Sequence, residues 1–138
     1  MYFDDFIKSK KVIICEKDFQ KAKALVKMSD DSIKFVSSLN LDNKSSTVIL
    51  VNYYEAIRQI LEAMCLVEGY KVFSHEAYTY YLKKLKENSI AEKFDRLRKL
   101  RNGANYYGKP VSKEVTQNAK KDIDLIKQHL IKTYLKKF

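Results

Sequence analysis

Three glycines and one proline in 138 residues supply too few turns for a sheet-rich fold. Few breakers, many Lys, Leu, Glu and Ala, and long periodic stretches predict an all-α protein. The length is that of one domain, and 46% hydrophobic residues can form a core without covalent staples. We therefore expect an up-and-down bundle of four to five helices across 1–138, with no internal repeat or linker.

Apolar spacing sets the helices in order. Residues 1–16 are the least defined. Val12-Ile13-Ile14-Cys15 fits either an extended segment or a helical turn. A first long helix is predicted from about Lys17 to Leu39, with Phe19, Ala22, Val26, Ser29, Ile33 and Val36 on its stripe and Asp18 near its positive end. Asn40 to Ser46 reads as a loop. A second helix, capped by Ser46 or Thr47, runs to Glu68 and ends at Gly69. It is apolar on more than one side, so it belongs at the centre, with Glu55 and Arg58 free to pair. A third helix is predicted from Ser74 to about Glu87. Ser89-Ile90-Ala91-Glu92 matches a capping box and opens a fourth, which stops near Tyr107-Gly108 ahead of Pro110. Ser112 caps a fifth, whose stripe is Val115, Ala119, Ile123, Ile126, Leu130 and Tyr134.

The fourth helix carries the feature that bears on function. Ile90, Phe94 and Leu97 form an apolar stripe, and the same spacing places Arg101 and Ala104 next on it. A guanidinium on a buried stripe is costly unless it is paired or reaches a wet cleft. It can bind phosphate or a partner carboxylate there, or it can make an ion pair inside the bundle with Glu55 or Glu62. Snorkelling to the edge is the remaining way out.

The same residues support a resemblance. Arg101-Asn102 late in a helix of a small all-α domain, the upstream Tyr53–Ala63 segment, Gly69-Tyr70-Lys71 and Ser74-His75-Glu76 together resemble the HEPN superfamily (higher eukaryotes and prokaryotes nucleotide-binding domains). The likeness extends from about Lys17 to Leu130. Its hallmark is R-x(4–6)-H, and the residue after the arginine is often polar. Membership implies a homodimer burying the fourth helix, with a composite ribonuclease site in which arginine holds phosphate and histidine moves protons. Here Tyr106 and Tyr107 stand where the histidine is expected, and no histidine follows before His129. A phenol is a poor proton shuttle at neutral pH but can donate a hydrogen bond or stack on a base. The resemblance thus implies a module binding RNA or a nucleotide, possible company with a minimal nucleotidyltransferase in a toxin–antitoxin pair, and no cofactor. Two alternatives stand beside it: a metal-independent endoribonuclease using Arg101, with Tyr106 or Tyr107 in place of the histidine, and a non-catalytic scaffold dimer.

The candidate ligand-binding residues are Arg101, Asn102, Asn105, Tyr106 and Tyr107, which read equally well as ordinary helix-end chemistry. Gly103 and Gly108 could admit a neighbouring helix. His75 could stand in as a base, but a first-turn contact with a neighbouring helix is the simpler reading; His129 should be partly exposed. Lys83, Lys84, Lys86, Lys93, Arg96, Arg98 and Lys99 outline a basic face, and the net charge of +10 favours an acidic partner. No metal-ligand spacing, Ser/His/Asp set or Gly-rich phosphate loop is present. Cys15 and Cys65 lack paired spacing and read as reduced, buried residues of a cytoplasmic protein. No apolar run reaches the roughly 20 residues a bilayer span needs, and the acidic start does not read as a signal peptide.

Overall fold

A computed structural model describes all of residues 1–138. The chain is an all-α bundle with one small two-stranded antiparallel sheet. Its elements are α1 (Phe3–Lys8), β1 (Val12–Ile14), α2 (Phe19–Ser37), α3 (Ser46–Glu68), β2 (Tyr70–Val72), α4 (His75–Lys84), α5 (Asn88–Tyr107) and α6 (Lys113–Tyr134). The all-α expectation holds, and the helix beyond the expected five is the short α1. No helix is long and apolar enough to cross a membrane.

The central helix is α3, as its two-sided apolar pattern predicts. Tyr54, Ile57, Ile60, Leu61, Ala63 and Cys65 along it have no exposed surface. Against it pack α2, antiparallel, on one side and α6 and α5 on others; α4 pairs with α5. Two serines tie α2 to α3. The Ser29 hydroxyl, buried, donates to the Ala56 carbonyl at 2.6 Å, and Ser37 meets the Tyr53 hydroxyl at 3.1 Å.

The undefined N-terminal segment resolves into α1 and β1. Phe3 and Phe6 fill the space under it, Phe3 edge-on to Tyr70 at 5.2 Å and Phe6 against Tyr80 at 5.4 Å. Val12 pairs with Val72 and Ile14 with Tyr70 in an antiparallel ladder. Gly69 makes this possible. It ends α3 at φ 91°, and a Cβ there would meet the Cys15 carbonyl oxygen at 2.8 Å. The strand approaches so closely that its Cys15 amide donates to the Gly69 carbonyl at 2.8 Å.

Several local expectations are corrected. The capping box at Ser89 does not form. A left-handed residue, Lys86 at φ 65°, closes α4 early, so α5 begins at Asn88 with Glu87 at the cap. Ser89 then lies inside the first turn, where its hydroxyl accepts from Lys93 at 3.3 Å. The phase of α5 is nevertheless as read, because Ile90, Ala91, Phe94 and Leu97 are buried. The third predicted helix accordingly stops at Lys84 rather than Glu87. The cap of α3 is Ser45, not Ser46 or Thr47. Those two instead bind the α5–α6 loop: Ser46 donates to the Val111 carbonyl, the Val111 amide donates to Thr47 Oγ1 at 2.9 Å, and Thr116 Oγ1 donates to the Ser46 carbonyl at 2.9 Å. Thr116 is therefore the buried residue in the first turn of α6, and Val115 is exposed. Phe19 is also exposed, stacked on Phe138. Cys65 is buried and Cys15 only half-buried; both are free thiols. Ser112 caps α6 as expected, its hydroxyl accepting from the Val115 amide.

Candidate functional site

The C-terminal turns of α5 meet the middle of α3 and the start of α4, and three arginines converge there. Arg58 on α3 is half-buried and fully engaged. It donates to Glu55 at 2.6–3.1 Å through Nε and Nη2 and to Glu62 at 2.7 Å through Nη1. Arg98 on α5 clamps Asp95 at 2.8 and 3.0 Å. Asp95 also accepts from Thr79 at 3.2 Å and pairs with Lys99, and although burial acts against it, these partners hold its carboxyl below the usual range.

Arg101 differs from both. It is half-buried, and neither Glu55 nor Glu62 reaches it, since Arg58 holds both. Its Nη1 donates to Asn102 Oδ1 at 3.1 Å and to the Tyr106 hydroxyl at 3.3 Å. Both acceptors are neutral. Its guanidinium carbon lies 5.3 Å from the centre of the Tyr54 ring and 5.6 Å from that of Tyr106. Phe94 stacks on Tyr54 at 5.5 Å. Phe94 and Arg101 are two helical turns apart, about 10.5 Å, so the Tyr54 ring fits between them. The stripe that predicted an inward arginine is thus completed by an aromatic face, and no ion pair neutralises the charge.

Tyr54 connects Arg101 to a second group. Its hydroxyl lies 3.0 Å from His75 Nδ1, and the two rings are 5.8 Å apart. Burial raises the Tyr54 phenol far above its ordinary range, against the pull of Arg101, Arg98 and Arg58, so it stays protonated. Burial also lowers His75, and the positive charges of Arg101, Arg58 and Arg98 lower it further, with Glu55 opposing. The imidazole is therefore neutral at pH 7. The structure supports the first-turn contact expected of His75, and it places that contact within the arginine cluster.

Of the five candidates, Arg101, Asn102 and Tyr106 come together. Asn105 is exposed and takes no bond from them. Tyr107, also exposed, points to a separate open groove of about 630 Å³ between α5 and the α5–α6 loop, where Lys109 lies 6.0 Å from its ring. Asn102 lines that groove too, so it stands between the two sides. Gly103 has Lys109 rather than a neighbouring helix beside it, and Gly108 ends α5 at φ 61°. No family model matches the chain, and no curated protein matches it significantly.

The rest of the basic face is more balanced than the sequence suggests. Arg98 is turned inward onto Asp95, Arg96 pairs with Asp122 at 3.7 Å, and Lys83 lies over the Tyr80 ring. His129 is partly exposed, as expected, and pairs with Glu87. Sequence reading missed Tyr54 as a site residue, because a tyrosine inside an apolar helix reads as core. The spacing of Glu55, Arg58 and Glu62 could have revealed that Arg58 claims both carboxylates.

Proposed function

We propose that this chain is a HEPN-like module that binds RNA or a nucleotide through Arg101. The observation that carries this reading is the unneutralised guanidinium of Arg101 beside two paired arginines. A planar, permanent cation with free donors suits a phosphate oxygen. The exposed Tyr106 beside it offers a ring on which a base can stack. The net charge of +10 supports the same class of ligand. The resemblance adds a homodimer, a cytoplasmic setting and a minimal nucleotidyltransferase partner to the proposal.

Binding of a single-stranded oligoribonucleotide, measured at low and at physiological salt, tests it. Arg101→Ala should weaken binding roughly ten- to a hundredfold, the loss of a charge-assisted bond, and reduce the salt slope by about 0.7. Equal binding by wild type and Arg101→Ala, or binding by neither, overturns it. The 3.3 Å approach of the Tyr106 hydroxyl to Arg101 favours one second reading, RNA cleavage with Tyr106 in place of the motif histidine. Failure of the pure wild-type protein to cleave RNA sinks that reading, as does full activity in Tyr106→Phe.

A further inference from the structure

Two groups at the α3–α4–α5 junction have unused bonding capacity. Arg101 has no carboxylate. His75 uses Nδ1 on Tyr54, and no protein group is bonded to its Nε2. They share a strut: the Tyr54 ring carries Arg101 against its face at 5.3 Å and His75 at its hydroxyl at 3.0 Å. The phenol has no other partner, so its hydroxyl donates to Nδ1, and the neutral imidazole carries its proton on Nε2. That leaves an N–H donor and an uncompensated cation on the same Tyr54 side chain.

We propose, resting on the reading of Arg101 as a phosphate-binding group, that His75 is the second arm of the same phosphodiester seat and that binding there takes up a proton. In the free protein burial first, and then the charges around it, keep the ring neutral. Arg58 on α3 and Arg98 and Arg101 on α5 oppose its charge; Glu55 on α3 favours it; Tyr54 on α3 and Tyr78 on α4 face it as neutral phenols. Glu76 follows it on α4. A phosphodiester seated on Arg101 cancels part of the positive field and adds a negative charge next to the ring. Both changes favour the imidazolium. The ring then gains its second proton at Nδ1, and the Tyr54 hydroxyl turns from donor to acceptor without losing its own. Nε2–H and the Arg101 fork hold the same anion. A phosphodiester does not titrate between about pH 5.5 and 8, so any pH dependence in that window belongs to the protein.

The experiment is fluorescence anisotropy with a single-stranded oligoribonucleotide bearing hydroxyls at both ends, across that window at fixed ionic strength. Wild type should bind more tightly as pH falls, by at most about tenfold per pH unit at the steepest point. His75→Gln, which keeps an amide able to accept from Tyr54, should bind more weakly and lose the slope. His129→Gln should keep the wild-type slope, which separates the only two histidines in the chain. A slope retained in His75→Gln while Arg101→Ala weakens binding as expected overturns the role of His75 and leaves that of Arg101 standing. Wild-type binding that does not vary with pH does the same. Absence of wild-type binding at every pH overturns both. A readout on the unmodified protein avoids dependence on how the variants fold: the His75 ring resonances, followed by NMR, should titrate at higher pH with the oligonucleotide saturating than without it. An unchanged midpoint rejects the proton uptake.

Discussion

Replacing Arg58 by methionine tests why Arg101 is free. Arg58 makes four hydrogen bonds to two carboxylates, and its side chain is only 15% exposed. Methionine keeps much of the aliphatic volume and removes the charge. A fully buried pair broken from one side costs about 3–5 kcal/mol. Glu55 is 43% exposed and Glu62 22%, so water recovers part of that, and about 2 kcal/mol is the expected loss. For a domain of this size the melting temperature should fall by about 6 °C. The same substitution has a second effect that simple destabilisation lacks. Arg58 is one of three arginines that lower His75, and Glu55 opposes them. In Arg58→Met the His75 midpoint, read by NMR, should rise. In Glu55→Gln it should fall. RNA affinity should also drop in Arg58→Met, because Glu55 loses its neutralising partner and Glu62 keeps only Lys21, at 3.6 Å. A His75 midpoint that moves in neither variant, or moves in the wrong direction, refutes this electrostatic account. A variant as stable as wild type refutes the assigned role of the Arg58 bonds.

Two further predictions concern stability. Ser46→Ala removes the buried donor to the Val111 carbonyl, leaving it a marginal 3.4 Å contact with Thr47 Oγ1, and should cost about 1–3 kcal/mol in chemical denaturation; a loss below about 0.3 kcal/mol would show that the α5–α6 loop is held by other means. Acidification should weaken the fold in two steps. His75 is lowered in the folded state, so the unfolded chain binds more protons, and stability falls as pH drops from about 6.5 towards the folded value. Asp30 is lowered from 3.8 to about 2 by its hydrogen bonds to Lys127 and Lys34. Its contribution is full above 3.8 and disappears as pH falls to about 2, and at its exposure it is worth about 1 kcal/mol or less. Denaturation midpoints against pH check both steps; His75→Gln should abolish the upper one, and Asp30→Asn should shrink the lower, to which the lowered carboxyls of Asp42 and Asp95 also contribute.

The helical framework was legible because long amphipathic stretches repeat one period many times. The phase of α5 could therefore be read even though its start was misplaced by the Ser89 motif. That motif matched in residue type, but Lys86 adopts a left-handed turn that begins the helix earlier, and local composition does not encode such a turn. The first sixteen residues were not legible for the opposite reason. A six-residue helix and a three-residue strand contain no full repeat of any pattern, and the strand forms only because Gly69 lets β1 approach β2 from far along the chain. The site was half legible. Arg101 was found by being the wrong residue for its stripe, with Asn102 and Tyr106 beside it on the same helix. Tyr54 and His75 are 21 residues apart and on different helices, and their contact depends on tertiary packing alone.

An unpaired arginine would mean little in a molecule that left many polar groups unsatisfied. This one does not. Among its buried side-chain nitrogen and oxygen atoms only Gln59 Oε1 lacks a partner. The nearby acids are also taken up locally: Glu55 and Glu62 by Arg58, Asp95 by Arg98, Lys99 and Thr79. On helix spacing alone Arg98 and Arg58 win these carboxylates, because each lies three or four residues from its acid, while Arg101 is six residues from Asp95 and on a different helix from Glu55 and Glu62. The arrangement therefore neutralises two arginines by short-range pairing and leaves the third to the aromatic face of Tyr54. Its compensation amounts to a cation–π contact and two bonds to neutral oxygens. A half-buried cation held in that way gains more from an arriving anion than either of its neighbours could, since Arg58 and Arg98 would first have to give up a carboxylate and Arg101 has none to give up. That difference in available binding energy, rather than the overall basic charge, is what makes Arg101 the position from which the function of this fold can be tested.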